Sequence, residues 1–421
     1  MTERRPDRLS TSRRGLLGLG TAAVAGTAAA TLTSCDSKGS PKAAPAAKVD
    51  FHGARQAGIA TAQQDRLAFA AYDLTVSGNP AENRDALRDL LKTWTAAARA
   101  MTEGRPVPGE NTLGTAPPAD TGEAYGTPPA NLTITIGFGP SLFDKRFGLA
   151  DKRPAALADL PHFAGDDLDP SRSNGDIAIQ ACSDDPMVAF HAIRNLARLG
   201  RGTVVMRWSQ LGFGRAASTS DKQETPRNLL GFKDGTRNIH GDAKLLDDWV
   251  WVGRETDQKW MRDGSYLVSR RIQMRIEAWD RDFLSDQQNV FGRHKYTGAP
   301  LTGGDEFDTP DFEARESDGS ATIPMDSHMR LAAHENNKGV RILRRAYNFT
   351  DGVVASSGEL DAGLFFLCYQ RDPRTQFVAL QHRLSQSDAL NEYIQHVGSG
   401  VYACPPGVRT DSGYWGDGLL G

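Results

Sequence analysis

Apolar positions along the chain recur with two different periods, and the switches between them mark out the elements. Arg66 to Leu74 (RLAFAAYDL) is an apolar run of strand length. Between Asn79 and Met101, Leu87, Leu90, Leu91 and Trp94 recur at helical spacing, with Pro80 near the start. A Gly/Pro-rich stretch from Gly104 to Pro129 predicts a loop. Asn131 to Gly137 (NLTITIG) and Asp176 to Cys182 (DIAIQAC) alternate, which predicts strands. Pro186 to Leu199 predicts a helix with Asp185 as its N-cap, proline in its first turn and Gly200 just past its end. Thr203 to Gln210 (TVVMRWSQ) predicts a further strand. The order β-α-β-β-α-β is that of a ferredoxin-like unit, an antiparallel sheet with helices on one face.

The second half repeats this order without a visible sequence repeat. Tyr266 to Ile276 predicts a strand and Glu277 to Val290 a helix. Arg341 to Ala346 and Leu364 to Gln370 (LFFLCYQ) predict strands. Thr375 to Val397 predicts one helix or two, and Val401 to Cys404 a short strand. The expected fold class is α+β: two ferredoxin-like units with antiparallel sheets packed together, of the dimeric α+β barrel type. The expected units are residues 51–225 and 226–421.

The N-terminus does not fit either unit. Arg4, Arg5 and Arg8 lead into Ser12-Arg13-Arg14-Gly15-Leu16-Leu17, and a weakly apolar, alanine-rich stretch follows to Leu32. These are the n-region and h-region of an export signal with a twin-arginine pair at their junction. A short amphipathic helix is the alternative, but Gly15, Gly18, Gly20 and Gly26 would weaken it. Leu32-Thr33-Ser34-Cys35 resembles a lipobox, so the expected outcomes are lipidation of Cys35 or cleavage near it and release. Signal and lipobox occupy residues 1–35, and a Ser/Pro/Ala/Lys-rich linker residues 36–50. The expected location is therefore extracytoplasmic, secreted or anchored at the cell surface, with the membrane reached only through Cys35.

Composition narrows the function classes. A net charge of -3 over 421 residues argues against a nucleic-acid binder. No apolar run in the mature region is long enough to span a bilayer. Cys182, Cys368 and Cys404 allow at most one disulfide, and Cys182 and Cys368 end apolar strand-like runs, which predicts buried free thiols. No Cys-x-x-Cys pair suggests a structural metal site.

Three segments stand out as candidate chemistry. Asn228 to Asn238 (NLLGFKDGTRN) sets Asp234 between Gly231 and Gly235, with Lys233 and Arg237 on either side. Taken alone, an Asp-Gly pair usually marks a turn. His328 lies in Asp326-Ser327-His328-Met329-Arg330-Leu331, and Arg344-Arg345 in Arg341 to Asn348 (RILRRAYN). A lone histidine is more often hydrogen-bonded than a ligand, and a paired arginine more often a solvated strand edge.

Together these segments change that balance, because the chain resembles the dye-decolourising (DyP-type) haem peroxidases, and most closely their exported, iron-transport-associated, deferrochelatase/peroxidase-like branch. The resemblance runs from about Phe51 to Val408. It is also carried by Gly58-Ile59-Ala60-Thr61, Gly137-Phe138-Gly139-Pro140, Gly292-Arg293-His294-Lys295 and the run from Asn391 to Ser399.

The resemblance implies haem b (iron protoporphyrin IX) held mainly by the C-terminal half, with His328 as the proximal iron ligand. Asp388 is the candidate partner for the other ring nitrogen of His328, which would make the ligand more basic; the alternative is a carboxylate at a helix N-terminus with no role at iron. Asp234 and Arg344 would lie on the distal face. There a carboxylate can carry the proton that peroxide must lose from one oxygen and gain on the other, and a guanidinium can stabilise charge on the departing oxygen. A free aspartate is ionised down to about pH 4, so the pair is expected to work in acid.

The resemblance adds Gly235, Thr236 and Arg237 as further haem contacts. The loop after His328 departs from the family pattern: an Asn-Pro-Arg-like run is replaced by Ala333-His334-Glu335. His334 is thus both a haem-contact candidate and the rival axial ligand. Tyr347, Trp249, Trp251 and Trp260 are electron-carrier candidates by residue type only.

The implied function is oxidation of organic donors such as dyes and phenols by hydrogen peroxide, through a ferryl intermediate. A haem- and iron-handling protein that releases iron from haem, and a metal-trafficking redox partner, are the alternatives. The expected partners are peroxide and an organic or metal electron donor, with a homodimer left open. No Arg-x-x-His-Phe pattern of a plant-type peroxidase is present.

Overall fold

The computed structural model describes residues 47–109 and 113–421. The export signal, the lipobox at Cys35 and most of the predicted linker lie outside the described residues.

The first half follows the predicted order. Strand β1 is Arg66–Leu74 and helix α1 Pro80–Thr102. Asn79 caps α1 by accepting hydrogen bonds from the Ala81 and Glu82 amides at 3.0 and 3.1 Å, and the Glu82 side chain returns to the Asn79 amide at 3.0 Å. Strands β2 (Thr133–Phe138) and β3 (Ile177–Ser183) lead to helix α2 (Pro186–Leu199), which is capped by Asp185, and then to β4 (Val204–Arg215). Leu87, Leu90, Leu91 and Trp94 of α1 are buried beneath this sheet, and each such side chain contributes about 1.5–3 kcal/mol by leaving water.

The second half begins with helix α3 (Ala243–Trp249), which the sequence pattern did not reveal, and β5 (Ser265–Met274). The expected helix from Glu277 to Val290 is two: α4 (Ile276–Trp279) and α5 (Leu284–Phe291). The Gln287 side chain donates to the Trp279 carbonyl at 2.8 Å, so it terminates α4 in place of the next helical turn.

Helix α6 is His328–Ala332. The expected strand from Arg341 to Ala346 shrinks to β6 (Leu343–Arg344), followed by β7 (Tyr347–Val353). Between them the Ala346 carbonyl accepts from the Ala216 amide at 2.8 Å and from Gln63 at 2.7 Å, so the chain bonds to the first half there. Strand β8 (Leu360–Gln370) starts earlier than expected. Helix α7 (Phe377–Ser387) stops at Asp388, and a short 3₁₀ turn, Ala389–Glu392, leads into β9 (Ile394–Cys404). The helix expected to continue to Val397 is therefore strand from Ile394 onward. A short helix, α8 (Asp417–Leu420), ends the chain.

The strands run in the order β5-β9-β2-β3-β1-β4-β7-β8-β6, and β5 also pairs with β8, which closes the ring. Within it β4-β1-β3-β2 and β9-β5-β8-β7 are two four-stranded ferredoxin-like sheets. They meet at two thin seams, Phe138↔Ala403 on one side and Phe213↔Asn348 with Arg215↔Tyr347 on the other. The interior is packed with Phe69, Tyr347, Phe365, Tyr369 and Tyr402. Cys182, Cys368 and Cys404 are buried free thiols. Because side chains alternate along a strand, β5 turns Arg270, Ile272 and Met274 to the other face, and there a cavity forms beneath α6 and α7.

Candidate active site

The site is built from three pieces of chain that local structure holds in unusual shapes. The first is the Asn228 to Asn238 loop. It turns back on itself through hydrogen bonds from the Asn228 amide to the Phe232 carbonyl at 3.1 Å and from the Asp234 amide to the Pro226 carbonyl at 2.9 Å. Gly235 has φ +102, and a Cβ there would lie 3.0 Å from the Ala217 Cα and the Ser218 nitrogen. Only glycine meets both conditions without strain. The tight passage presents the Asp234 side chain to the cavity.

The second piece is β6. The Arg344 Nη1 donates to Asp234 Oδ1 at 2.6 Å, and Asn228 Nδ2 donates to Asp234 Oδ2 at 3.2 Å. Asn238 clamps the Arg344 backbone in both senses: its Nδ2 donates to the Arg344 carbonyl at 2.8 Å and its Oδ1 accepts from the Arg344 amide at 2.8 Å. The next residue, Arg345, is fully buried and donates to the Thr61 carbonyl at 2.5 Å, tying this strand to the first half. The sequence segments contain Asn228, Asn238 and Arg345 but assign them no role; a long-range clamp leaves no periodic signal.

The third piece is the opposite wall. His328 opens α6, and its Nδ1 lies 2.6 Å from Asp388 Oδ2. The carboxylate makes Nδ1 the donor, so the bare Nε2 is free to act as a ligand. Asp388 is itself oriented by the Leu390 amide at 2.9 Å. It thus caps the 3₁₀ turn and accepts from His328 at the same time. Burial disfavours the protonated imidazole, but Asp388 outweighs it and raises the His328 pKa above its ordinary value.

Between these walls lies a cavity of about 240 Å³. Ile272, Leu364 and Phe366 face it from the sheet, and Leu380 and Leu384 from α7. Asp234, Gly235, Thr236, Arg237, His328, His334, Arg344 and Asp388 all line it. Tyr347, Trp249, Trp251 and Trp260 do not.

His334 differs from His328 in having both ring nitrogens engaged. Arg341 Nη2 lies 2.6 Å from its Nε2, and Glu335 Oε2 lies 3.1 Å from its Nδ1. Burial and Arg341 lower its pKa. Arg237 pairs with Glu335, and Lys233 with Glu306. Burial would raise the Glu306 pKa, but the hydrogen bonds from Lys233 and Thr236 more than offset it.

A further polar group was not foreseen. Arg270, 1 % exposed, pairs with Asp166 and donates to Ser399 Oγ at 3.1 Å, with its Nε 3.4 Å from His396 Nδ1. Arg270 and His396 reach the cavity from β5 and β9.

Residues 56–214 match the family described as Dyp-type peroxidase, N-terminal, and residues 225–409 that described as Dyp-type peroxidase, C-terminal. A deferrochelatase of Escherichia coli O6:K15:H31 is 39% identical over 419 residues, covering 97% of each chain. The crystal structure of a DyP-type peroxidase from Streptomyces coelicolor superposes with a TM-score of 0.81 at 38% identity, covering 89% of this chain and 97% of its own. Ferric DtpA from Streptomyces lividans gives a TM-score of 0.80 at 38% identity, with the same two coverages.

Proposed function

The chain belongs to the Dyp-type peroxidase family, and from that membership we propose how its own residues act: as a haem b peroxidase that uses hydrogen peroxide to oxidise organic donors such as dyes and phenols. The observation that carries the reading is the Asp234–Arg344 pair facing, across an apolar cavity, an imidazole braced by a carboxylate.

The residues fit the cofactor. The His328 Nε2 offers one axial donor, which suits a metal whose other donors come with a macrocycle. The apolar walls suit a porphyrin face, and the cationic rim suits its carboxylates. His328 would hold the iron, and Gly235, Thr236, Arg237, His334 and Arg344 would contact the porphyrin. His334 is the weaker axial candidate because both its nitrogens are engaged.

When bound, the haem supplies an iron centre able to take up the oxidising equivalents of peroxide and pass them to a donor. The protein manages the proton. Asp234 Oδ2 takes it from one peroxide oxygen and returns it to the other, so that the departing oxygen leaves as water. The Arg344 guanidinium fixes Oδ1 at 2.6 Å and opposes negative charge on the departing oxygen. The Asp388 carboxylate keeps Nδ1 of His328 as the donor and makes the free nitrogen a stronger ligand. The aliphatic and aromatic walls exclude water.

A second reading rests on the relatives at 39% identity that carry the name deferrochelatase: removal of iron from haem. The Arg13-Arg14 pair and the alanine-rich stretch after it support export by the twin-arginine route, and Leu32 to Cys35 supports anchoring through a lipid on Cys35.

One experiment separates the two activities. The haem-loaded chain is mixed with peroxide and a dye at mildly acidic pH, and dye bleaching and metal-free porphyrin fluorescence are followed together. Dye bleaching that falls at least about a hundredfold in Asp234→Ala, with the Soret band intact, supports the peroxidase. Retained haem, no bleaching and growing porphyrin fluorescence would establish the second reading instead.

A further inference from the structure

Besides Arg270, which Asp166 neutralises, four arginines line the cavity, and they differ in what neutralises them. Arg344 is paired with Asp234 at 2.6 Å, and Arg237 with Glu335. Arg293 and Arg341 make no ion pair with a carboxylate among the described residues. Arg293 is 7 % exposed, and its Nη1 donates only to the Gly298 carbonyl at 2.5 Å and the Glu306 carbonyl at 3.1 Å. Arg341 donates through Nη2 to the neutral imidazole of His334 at 2.6 Å. Both side chains line the cavity.

A cation shut away from water without a counter-charge is costly to hold. Here the cost is visible: burial, with repulsion from Arg237, lowers the Arg293 pKa to about 10 and lowers that of Arg341 as well. Arg237 repels both, and all three side chains line the same cavity. The nearby carboxylates are already engaged: Glu306, beside Arg293, holds Lys233, and Glu335, beside Arg341, holds Arg237. Arg293, buried, and Arg341, partly buried, are left without a carboxylate of their own, and both side chains face the cavity.

We propose that Arg293 and Arg341 bind the two propionate carboxylates of haem b, one each, and so fix which way round the porphyrin enters the cavity. The proposal rests on the haem reading above and assigns the ligand's charged edge to residues outside both the motif around Asp234 and the Ala333-His334-Glu335 run. A guanidinium suits this task because its fork can donate two hydrogen bonds to one carboxylate and keeps its charge at every working pH.

The test is a titration of the full chain, freed of haem, with iron protoporphyrin IX and in parallel with its dimethyl ester, which lacks both charges. Soret absorbance and intrinsic fluorescence quenching report binding. Arg293→Gln and Arg341→Gln should each weaken binding of iron protoporphyrin IX by about ten- to a hundredfold. They should leave binding of the dimethyl ester unchanged, and Arg293→Lys should restore part of the loss. The ester titration also shows that each variant still forms the cavity. A variant that binds iron protoporphyrin IX as tightly as the parent overturns the assignment. So does equal weakening for both porphyrins, because the side chain would then support the cavity walls and not a carboxylate. A parent chain that binds neither porphyrin removes the haem reading itself, and this assignment with it.

Discussion

The Asp234 carboxylate and the Arg344 guanidinium meet at 2.6 Å although 110 residues separate them along the chain. One sits on a loop that glycine allows to double back, the other on a two-residue strand whose backbone Asn238 grips at both its amide and its carbonyl. The pair behaves as one unit, and replacing either member should disable it. Asp234→Asn is expected to lower peroxide-dependent dye oxidation by roughly 10²–10⁴-fold and Arg344→Gln by roughly 10²–10³-fold, with the Soret band retained. The double variant should fall little below the worse single one, because residues acting together are not additive. Steady-state rates of the four proteins form the cycle, and fully additive losses would refute a shared role. The rate of the parent enzyme should peak in acid; an optimum above neutrality would exclude Asp234 as the proton carrier.

His328 and Asp388 are expected to act on the iron and not on the peroxide proton. His328→Ala should abolish the native Soret spectrum, whereas His334→Ala should preserve it, since His334 is engaged at both nitrogens. The reverse pattern would exchange their roles. Asp388→Asn should keep haem but raise its reduction potential, because the imidazole loses its acceptor's charge, and should weaken iron affinity about 10–100-fold. Spectroelectrochemistry reads the first effect and competitive haem transfer the second.

His396 carries a prediction about acid stability. Burial and the neighbouring Arg270 push its pKa down to about 3 from an ordinary value near 6.5. The groups around it are Arg270, Gln381 at 3.3 Å and, beyond Arg270, Asp166 and Ser399. Below pH 6.5 the unfolded chain takes up a proton that the folded chain refuses, so stability falls as pH drops from about 6.5 toward 3. Between pH 7 and 4.5 this group should remove of order 2–3 kcal/mol. Denaturant unfolding of the parent and of His396→Gln at both pH values isolates it, and parallel losses in the two proteins would assign the acid sensitivity elsewhere.

Gly235 tests the loop itself. An alanine there must adopt φ +102 and place its Cβ 3.0 Å from two backbone atoms of Ala217 and Ser218. A strained backbone of this kind costs about 1–3 kcal/mol, so Gly235→Ala should melt lower and lose dye oxidation. Gly304→Ala, with nothing within 4 Å of the new Cβ, is the matched control and should resemble the parent. Equal melting temperatures for all three proteins would show that the loop yields cheaply.

Much of this molecule is legible in its one-dimensional pattern. Leu87, Leu90, Leu91 and Trp94 at helical spacing, the Asp185 and Pro186 signals and the alternation of β2 and β3 are local features, set by backbone propensity and by which side of an element meets water. They sufficed for the ferredoxin-like order of the first half. Where local and distant demands compete, the pattern misled: Gln287 ends α4 by a side-chain hydrogen bond, Ala346 gives its carbonyl to the first half, and Asp388 leaves helical geometry as α7 ends, where it accepts from His328. The residues of the site could be named from the sequence, because the segments around Asp234, His328 and Arg344 resemble a family. Their convergence could not, nor could the clamp from Asn238, the buried Arg270–His396 group or the two unneutralised arginines. Those depend on closure of eight strands into one ring with β6 laid beside β8, which brings charges from distant segments into a space with little water. There a missing partner costs far more than it would along an extended chain, and only the tertiary structure decides which charges are left without one.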